Sequence, residues 1–253
     1  MTDKVNSLED PEFKQPSAEF CYAGVDALLI EFGHEIDACL PSYLATIRER
    51  ILQSLGTVVS EVVPAYASLL VYYEPRSVRP YDLQVALENI IAEVPWLCSP
   101  WSAEDANAPG RLVEVQVCYD PSLAPDLERV MHVTGLSAEQ VVAAHTGQQL
   151  QVYALGFAPG FAYLGSLPES LSVPRLDAPR THIAAGSVGI AEQQSAVYPQ
   201  DSPGGWNIIG RSPVQWFDPQ RQPMTAVQVG DRIQFKAIDL ATYQAIVEQG
   251  ASS

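Results

Sequence analysis

The chain has 253 residues, enough for one large or two ordinary domains, and its 47% apolar content can fill a sizeable core. Its net charge of −16 repels nucleic acid and anionic membrane surfaces, so neither is expected as a partner. The polar, acidic N-terminus has no hydrophobic leader core and no run is long enough to span a bilayer, which makes the cytoplasm the expected location.

Residues 1–17 are polar, contain Pro11 and Pro16, and read as a disordered tail. Glu19–Tyr22 and Ala27–Phe32 are short apolar runs joined by A-G-V-D, a hairpin pattern. From His34 to Leu55 apolar residues recur at Ile36, Leu40, Leu44, Ile47 and Ile51, which is helical spacing. Pro41 marks either an early kink or the true start of that helix, and Gly56 ends it. Thr57–Val63 and Ala67–Tyr73 are β-branched and aromatic strands joined through Pro64. Arg79–Val94 is a second amphipathic helix with Asp82 in its first turn. Two hairpins and two helices make an α+β layer over residues 18–95. Residues 96–110, rich in Pro, Ala and acids, lack periodicity and read as a linker.

The second domain, 111–253, opens on Arg111–Tyr119, whose alternation gives a strand with one dry face. Asp126–His132 and Ser137–His145 are short helices, the latter with an S-x-x-Q capping box. Gln149–Leu155 is again a strand. Val214–Phe217, Thr225–Val229 and Arg232–Lys236 read as strands, with Gly230-Asp231 turning the last two into a hairpin, and Asp239–Glu248 closes as a helix. Seven to nine short strands suit a barrel or sandwich.

Between these lies residues 156–213, holding eight of the 16 glycines and seven of the 20 prolines among many apolar residues. Four carboxylates face Arg175, Arg180 and Arg211 there, so the stretch is nearly neutral on an otherwise acidic chain. It is a candidate surface for a small anion or a partner. Pro174-Arg175 and Pro179-Arg180 stiffen the backbone before a guanidinium that suits carboxylate or phosphate; the alternative is surface pairing with the many acids. Gly186, Ser187, Val188 and Gly189 form either an anion nest of backbone N–H groups or a strand crossing where only small residues fit. Trp206, after Ser202-Pro203-Gly204-Gly205, is either a stacking platform or a core residue. His145 is either a general base or a helix-end cap, and His182 sits among the exposed loops. Phe157 and Phe161 flank a rigid turn. Cys21, Cys39, Cys98 and Cys118 form no C-x-x-C pair and are expected as reduced, buried thiols in a reducing compartment; the four histidines lack metal-ligand spacing, so no metal site is expected.

In order and spacing, the runs G-F-A-P-G-F-A-Y-L-G, P-R-x-x-x-P-R, A-G-S-V-G-I-A, Y-P-x-x-S-P-G-G-W and I-I-G-R-S-P resemble the signature of the family of KipI and the 5-oxoprolinase B subunit, also called allophanate hydrolase subunit 1. V-x-V-C-Y-D at 115–120, A-A-H-T at 143–146 and A-G-V-D-A-L-L-I-E-F at 23–32 match as well, so the resemblance covers about residues 19–240. It implies an α+β N-terminal domain and an all-β cyclophilin-like barrel. It implies the B subunit of an ATP-dependent complex that converts 5-oxo-L-proline to L-glutamate. Two partners come with that complex: the homologous-fold C subunit, and the LamB/YcsF-type A subunit. ATP, alone or with Mg, would act at the level of the complex, with no cofactor held tightly by this chain. Two alternatives come with the resemblance: an inhibitor of a sensor histidine kinase, and the urea/allophanate amidolyase arm. The expected site has His145, Arg180 and Arg211 in catalysis. Arg175, Ser187, Tyr198, Ser202, Gly204, Gly205 and Trp206 would bind substrate, with the nest at Gly186, Val188 and Gly189. Two family glycines are replaced by Glu192 and Ala196, which implies an altered loop there, and Ala184 stands where the family has proline before A-G-S.

Overall fold

The computed structural model describes residues 15–96 and 110–250. Most of the expected tail and linker lies outside those residues. The chain forms two compact units, Met1–Pro100 and Trp101–Ser253.

In the first unit β1 (Glu19–Tyr22) and β2 (Ala27–Glu31) form the expected hairpin. A second hairpin joins β3 (Val59–Ala65) to β4 (Ser68–Tyr73), and the antiparallel order is β1-β2-β4-β3. Helices α1 (Leu40–Leu55) and α2 (Pro80–Glu93) share one core with the sheet, built on Leu28, Ile30, Leu44, Ile47, Ile51, Leu69 and Leu87. The helix expected from His34 begins only at Leu40. Pro41 sits in its first turn, where a missing N–H breaks no helical bond. Ile36, which the helical spacing included, therefore stands 57% exposed. Pro64 does not join the strands. It lies inside β3 opposite Leu69, and the chain turns at Tyr66, whose φ is 46°.

In the second unit seven strands close on themselves. They are β5 (Leu112–Cys118), β6 (Gln149–Leu155), β7 (Ala162–Gly165), β9 (Ser187–Ala191), β10 (Gln194–Val197), β12 (Asn207–Arg211) and β13 (Arg232–Ile238). The circuit runs β6-β13-β5-β12-β9-β10-β7 and back to β6. Every pair in it is antiparallel except β13 with β5, so the barrel is mixed. Outside it β8 (Arg180–Ile183) and β11 (Ser202–Gly204) pair as a two-stranded ribbon. Inward residues such as Val115, Val117, Val152, Leu164, Ile190 and Phe235 fill the barrel. Helices α3 (Leu127–Thr134), α4 (Ala138–Thr146) and α5 (Leu240–Gly250) complete the unit. The capping box is formed: Gln140 N–H donates to Ser137 Oγ, and Ser137 N–H donates to Gln140 Oε1 at 2.8 Å.

Two expected strands are corrected. Residues 214–217 and 225–229 are loop, meeting in one bridge between Phe217 and Thr225, and the Gly230-Asp231 turn closes no hairpin. Trp216 and Val227 insert into the barrel core instead of extending a ladder. β13 takes its neighbours from the distant β5 and β6. The cysteine expectation is also corrected. Cys21 is exposed on an outer strand, and Cys39, in the turn that the late helix start leaves, is disulfide-bonded; Cys118 alone is a buried free thiol among the described residues. Glu192, where the family has glycine, has φ 51° in the two-residue turn between β9 and β10. The turn thus keeps a left-handed conformation that glycine adopts without strain. No described helix is long and apolar enough to cross a membrane, and no group of three metal-ligating side chains occurs among the described residues.

Ile47 is fully buried in the first unit's core. Ile47→Ala is expected to lose about 2–5 kcal/mol in urea denaturation. Ile36→Ala is expected to stay within about 0.5 kcal/mol of the parent, as an exposed residue outside the helix should.

Candidate functional site

All three arginines of the central stretch lie on or beside the β8–β11 ribbon, but the structure gives them different work. Arg175 sits in the loop leading to β8, and that loop is pinned on both sides. Asn207 Nδ2 donates to the Pro174 carbonyl at 3.0 Å, and Leu176 N–H donates to the Gly205 carbonyl at 2.8 Å. Between these anchors the exposed Arg175 guanidinium lies over the Trp206 ring, 5.8 Å from its centroid. No hydrogen bond or ion pair occupies its donors among the described residues.

Beneath it is an aromatic layer. Phe161 meets Tyr163, Tyr198 and Trp206 edge-on at 4.9, 5.3 and 5.9 Å, and Phe157, 63% exposed with φ 71°, packs on it from outside. Trp206 and Tyr198 are buried, so of the two readings of Trp206 the core one is observed, with the cation of Arg175 stacked on it. Burial pushes the Tyr198 hydroxyl up to about 12, against the opposing effects of a hydrogen bond from the Trp206 backbone and the charges of Arg175 and Arg180. Gly204 is required here because a Cβ would run into that hydroxyl.

Arg180 is committed elsewhere. Its two terminal nitrogens donate to Asp126 at 2.8 and 2.6 Å, and Asp126 also accepts the Ile208 N–H at 2.7 Å. Asp126 is 4% exposed, so this is a paired buried charge that ties the ribbon to the start of α3 and to β12. The hydrogen bond to Asp126 raises the already high value of the guanidinium.

Arg211, at the end of β12, donates its Nε to the Ala185 carbonyl at 2.9 Å, and its terminal nitrogens have no partner among the described residues. The N–H of the same residue, Ala185, donates to Asp201 Oδ1 at 2.8 Å, and Asp201 Oδ2 pairs with His182 Nε2 at 3.0 Å. The Ala185 N–H, then His182 and more weakly Arg211, hold the Asp201 carboxyl below its ordinary range.

His145 is brought to none of these groups. It is fully buried: Tyr119 lies 2.7 Å from Nδ1, Ser195 Oγ 2.8 Å from Nε2, and Phe235 stacks at 4.4 Å. Ser195 donates to the Gly189 carbonyl at 3.2 Å, so its oxygen accepts Nε2–H and Tyr119 donates to Nδ1. That assignment leaves no ring nitrogen for a substrate, correcting the expected catalytic role. The helix-end histidine is a core hydrogen-bond hub. The nest is corrected too. Ser187–Ala191 is strand β9, Gly186 N–H donates to the Tyr198 carbonyl at 2.8 Å, and Ser187 N–H donates to the Ala184 carbonyl at 3.1 Å. Only small residues fit, since a Cβ on Gly186 would meet the Ser212 carbonyl. Ser187 is buried, Ser202 Oγ turns back to the Gln200 carbonyl, and Gly205 serves as an anchor. Asp126, Asn207 and Asp201 were not legible as site residues. Asp126 looks like an ordinary acid in a helix's first turn, Asp201 is an unspecified position of one motif run and Asn207 falls between two runs, none with a pairing signal of its own.

This barrel and the ribbon on it define a class. The chain belongs to the carboxyltransferase-domain family, subdomains C and D, whose model matches residues 18–227. It is 37% identical to the 5-oxoprolinase B subunit of Bacillus subtilis (strain 168) over 229 residues, 89% of this chain and 95% of that one. The resemblance carried by the motifs is thereby borne out. The crystal structure of TTHA0988 is similar at TM-score 0.72 and 32% identity over 84% of this chain, which spans 40% of that longer chain. The K. lactis urea amidolyase, at TM-score 0.70 and 17% identity over 93% of this chain and 16% of its own, shares the fold.

Two outcomes follow from the geometry. Arg180→Ala strands the buried Asp126 carboxylate and is expected to cost about 3 kcal/mol, the low end for breaking a buried pair. Arg175→Ala is expected to stay within about 0.5 kcal/mol, both read by urea denaturation. Burial lowers His145 from 6.5 to about 3. The unfolded chain takes up that proton as pH falls below 6.5 while the folded chain does not. The contribution is therefore fully present above pH 6.5 and lost as pH falls toward 3, by about 1.4 kcal/mol per pH unit at most. Urea midpoints between pH 7 and 5 are expected to fall more steeply in the parent than in His145→Leu.

Proposed function

We propose that the chain is the B subunit of an ATP-dependent 5-oxoprolinase: a cytoplasmic, non-autonomous part of a cyclic-amide hydrolase. Its partners on this reading are the homologous-fold C subunit, and the LamB/YcsF-type A subunit. The observation that carries this reading is the likeness, along nearly the whole of that relative's length, to the B subunit of a 5-oxoprolinase. On this reading the second unit is a cyclophilin-like barrel over 111–253, linked through 96–110 to an α+β domain over 18–95.

A lactam is a weak electrophile, and ATP supplies the activation. Transfer of its γ-phosphoryl group to the amide oxygen releases ADP and makes the ring carbon reactive toward water. Addition of water and rupture of the ring C–N bond, with protonation of the nitrogen, leaves a γ-glutamyl phosphate. A second water then releases phosphate and glutamate. Every species on this path carries a carboxylate or phosphoryl group, so the chemistry needs cationic donors. Arg175 and Arg211 support it, because each keeps N–H groups with no partner among the described residues, Arg175 on a pinned loop and Arg211 at the end of β12. Arg180 is assigned to holding the ribbon, with its charge committed to Asp126. The Mg of an ATP-dependent step would enter with the nucleotide.

The purified chain alone is expected to release no glutamate from 5-oxoproline, whereas the three subunits together with ATP do. In the reconstituted complex Arg175→Ala and Arg211→Ala are each expected to lower kcat/KM about 10- to 100-fold, the loss of a charged hydrogen bond. Unchanged values in both variants would remove the arginines from the site.

A further inference from the structure

Two side chains beside Arg211, His182 and Asp201, are left unused by that assignment. His182 projects from β8 and Asp201 lies just before β11; both side chains are about two-thirds exposed and paired at 3.0 Å. An exposed pair of this kind contributes little to folding. This one is nevertheless held in place from two sides. The backbone of Ala185 donates its N–H to Asp201 at 2.8 Å and accepts Arg211 Nε at 2.9 Å, so one residue orients both the acid and the cation. Asp201 in turn accepts His182 Nε2–H, which sets the tautomer and leaves the lone pair on Nδ1. Among the described residues Nδ1 has no partner. The row His182, Asp201, Ala185, Arg211 thus ends in a free proton acceptor at one side and free N–H donors at the other.

We propose that His182, Asp201 and Arg211 form an oxyanion-binding proton-transfer site. Arg211 takes a carboxylate or phosphoryl oxygen, His182 Nδ1 moves the proton, and Asp201 positions the ring. The proton-transfer part rests on the hydrolase reading above. As water attacks the activated amide carbon, its O–H proton passes to Nδ1 while the oxygen electron pair forms the new C–O bond. The imidazolium, steadied by Asp201, then gives the proton to the ring nitrogen and returns to its neutral form as the C–N bond breaks; the added hydroxyl closes to the acyl carbonyl and its proton passes to the freed amine. The charged groups facing His182 are Asp201 and, beyond it, Arg211.

Two measurements test the proposal. The first titrates inorganic phosphate and, separately, acetate into the full-length chain, following the histidine ring resonances by NMR. His182 is expected to shift saturably with at least one anion, which identifies the oxyanion class, and Arg211→Gln is expected to weaken that shift at least tenfold. No shift with either anion overturns the site. The second uses the reconstituted complex. His182→Asn is expected to lower kcat about 10²- to 10⁴-fold with KM within about threefold, and to abolish the limb of the pH–rate profile that the imidazole controls. Asp201→Asn is expected to keep that limb but displace it. A pH profile in His182→Asn identical to the parent overturns the proton-transfer role. A parent complex inactive on 5-oxoproline, beside a positive anion titration, refutes the hydrolase reading and leaves the anion site standing.

Discussion

The carboxylate of Asp126 accepts two N–H groups from Arg180 and one from Ile208, at the point where α3 begins. Without that carboxylate the β8–β11 ribbon would have no charged tether to the barrel strand behind it. The arrangement works because the charge is enclosed and fully paired. A buried anion with three donors is tolerated, whereas either partner alone would leave a desolvated charge. This clamp holds β8 against the barrel, while separate backbone anchors place Arg175 and the His182–Asp201 pair. An arginine in a conspicuous motif therefore acts first as structure.

A second polar thread runs through the barrel interior. Tyr119 donates to His145, His145 to Ser195, and Ser195 to the Gly189 carbonyl. It links β12-facing β9, β10 and the end of α4 across an otherwise apolar core. His145 and Ser195 each give and receive, and each end of the thread has its one partner, so no buried polar atom of the thread is left unpaired. That closure is also why His145 is unavailable for chemistry: a ring whose two nitrogens are satisfied and whose charged form is excluded from water is a packing element.

Much of the fold was legible because local rules agreed with it. The α1 stripe, the S-x-x-Q box, and the alternation in β5 and β6 each belong to a single element, and a single element's period is written in neighbouring residues. The misreadings fell where a residue's role depends on a distant neighbour. Residues 214–217 and 225–229 have strand-like composition, but Trp216 and Val227 found a place in the barrel core. Pro64 reads as a connector and sits in a strand opposite Leu69. Glu192 departs from the family glycine and still takes a left-handed φ, since the β9–β10 turn imposes it.

By itself the sequence determined the family, the order of most elements, and the stretch that would hold the site. Gly and Pro at set spacings shape the backbone locally, wherever the rest of the chain goes. Only the tertiary structure decided which of three similar arginines is tied to a buried acid, which stacks on an aromatic ring, and which keeps free donors. It also decided that His145 is interior while His182 faces water. Those distinctions depend on Asp126, Trp206, Ala185 and Asp201 arriving from separate segments, and local spacing carries no information about who arrives.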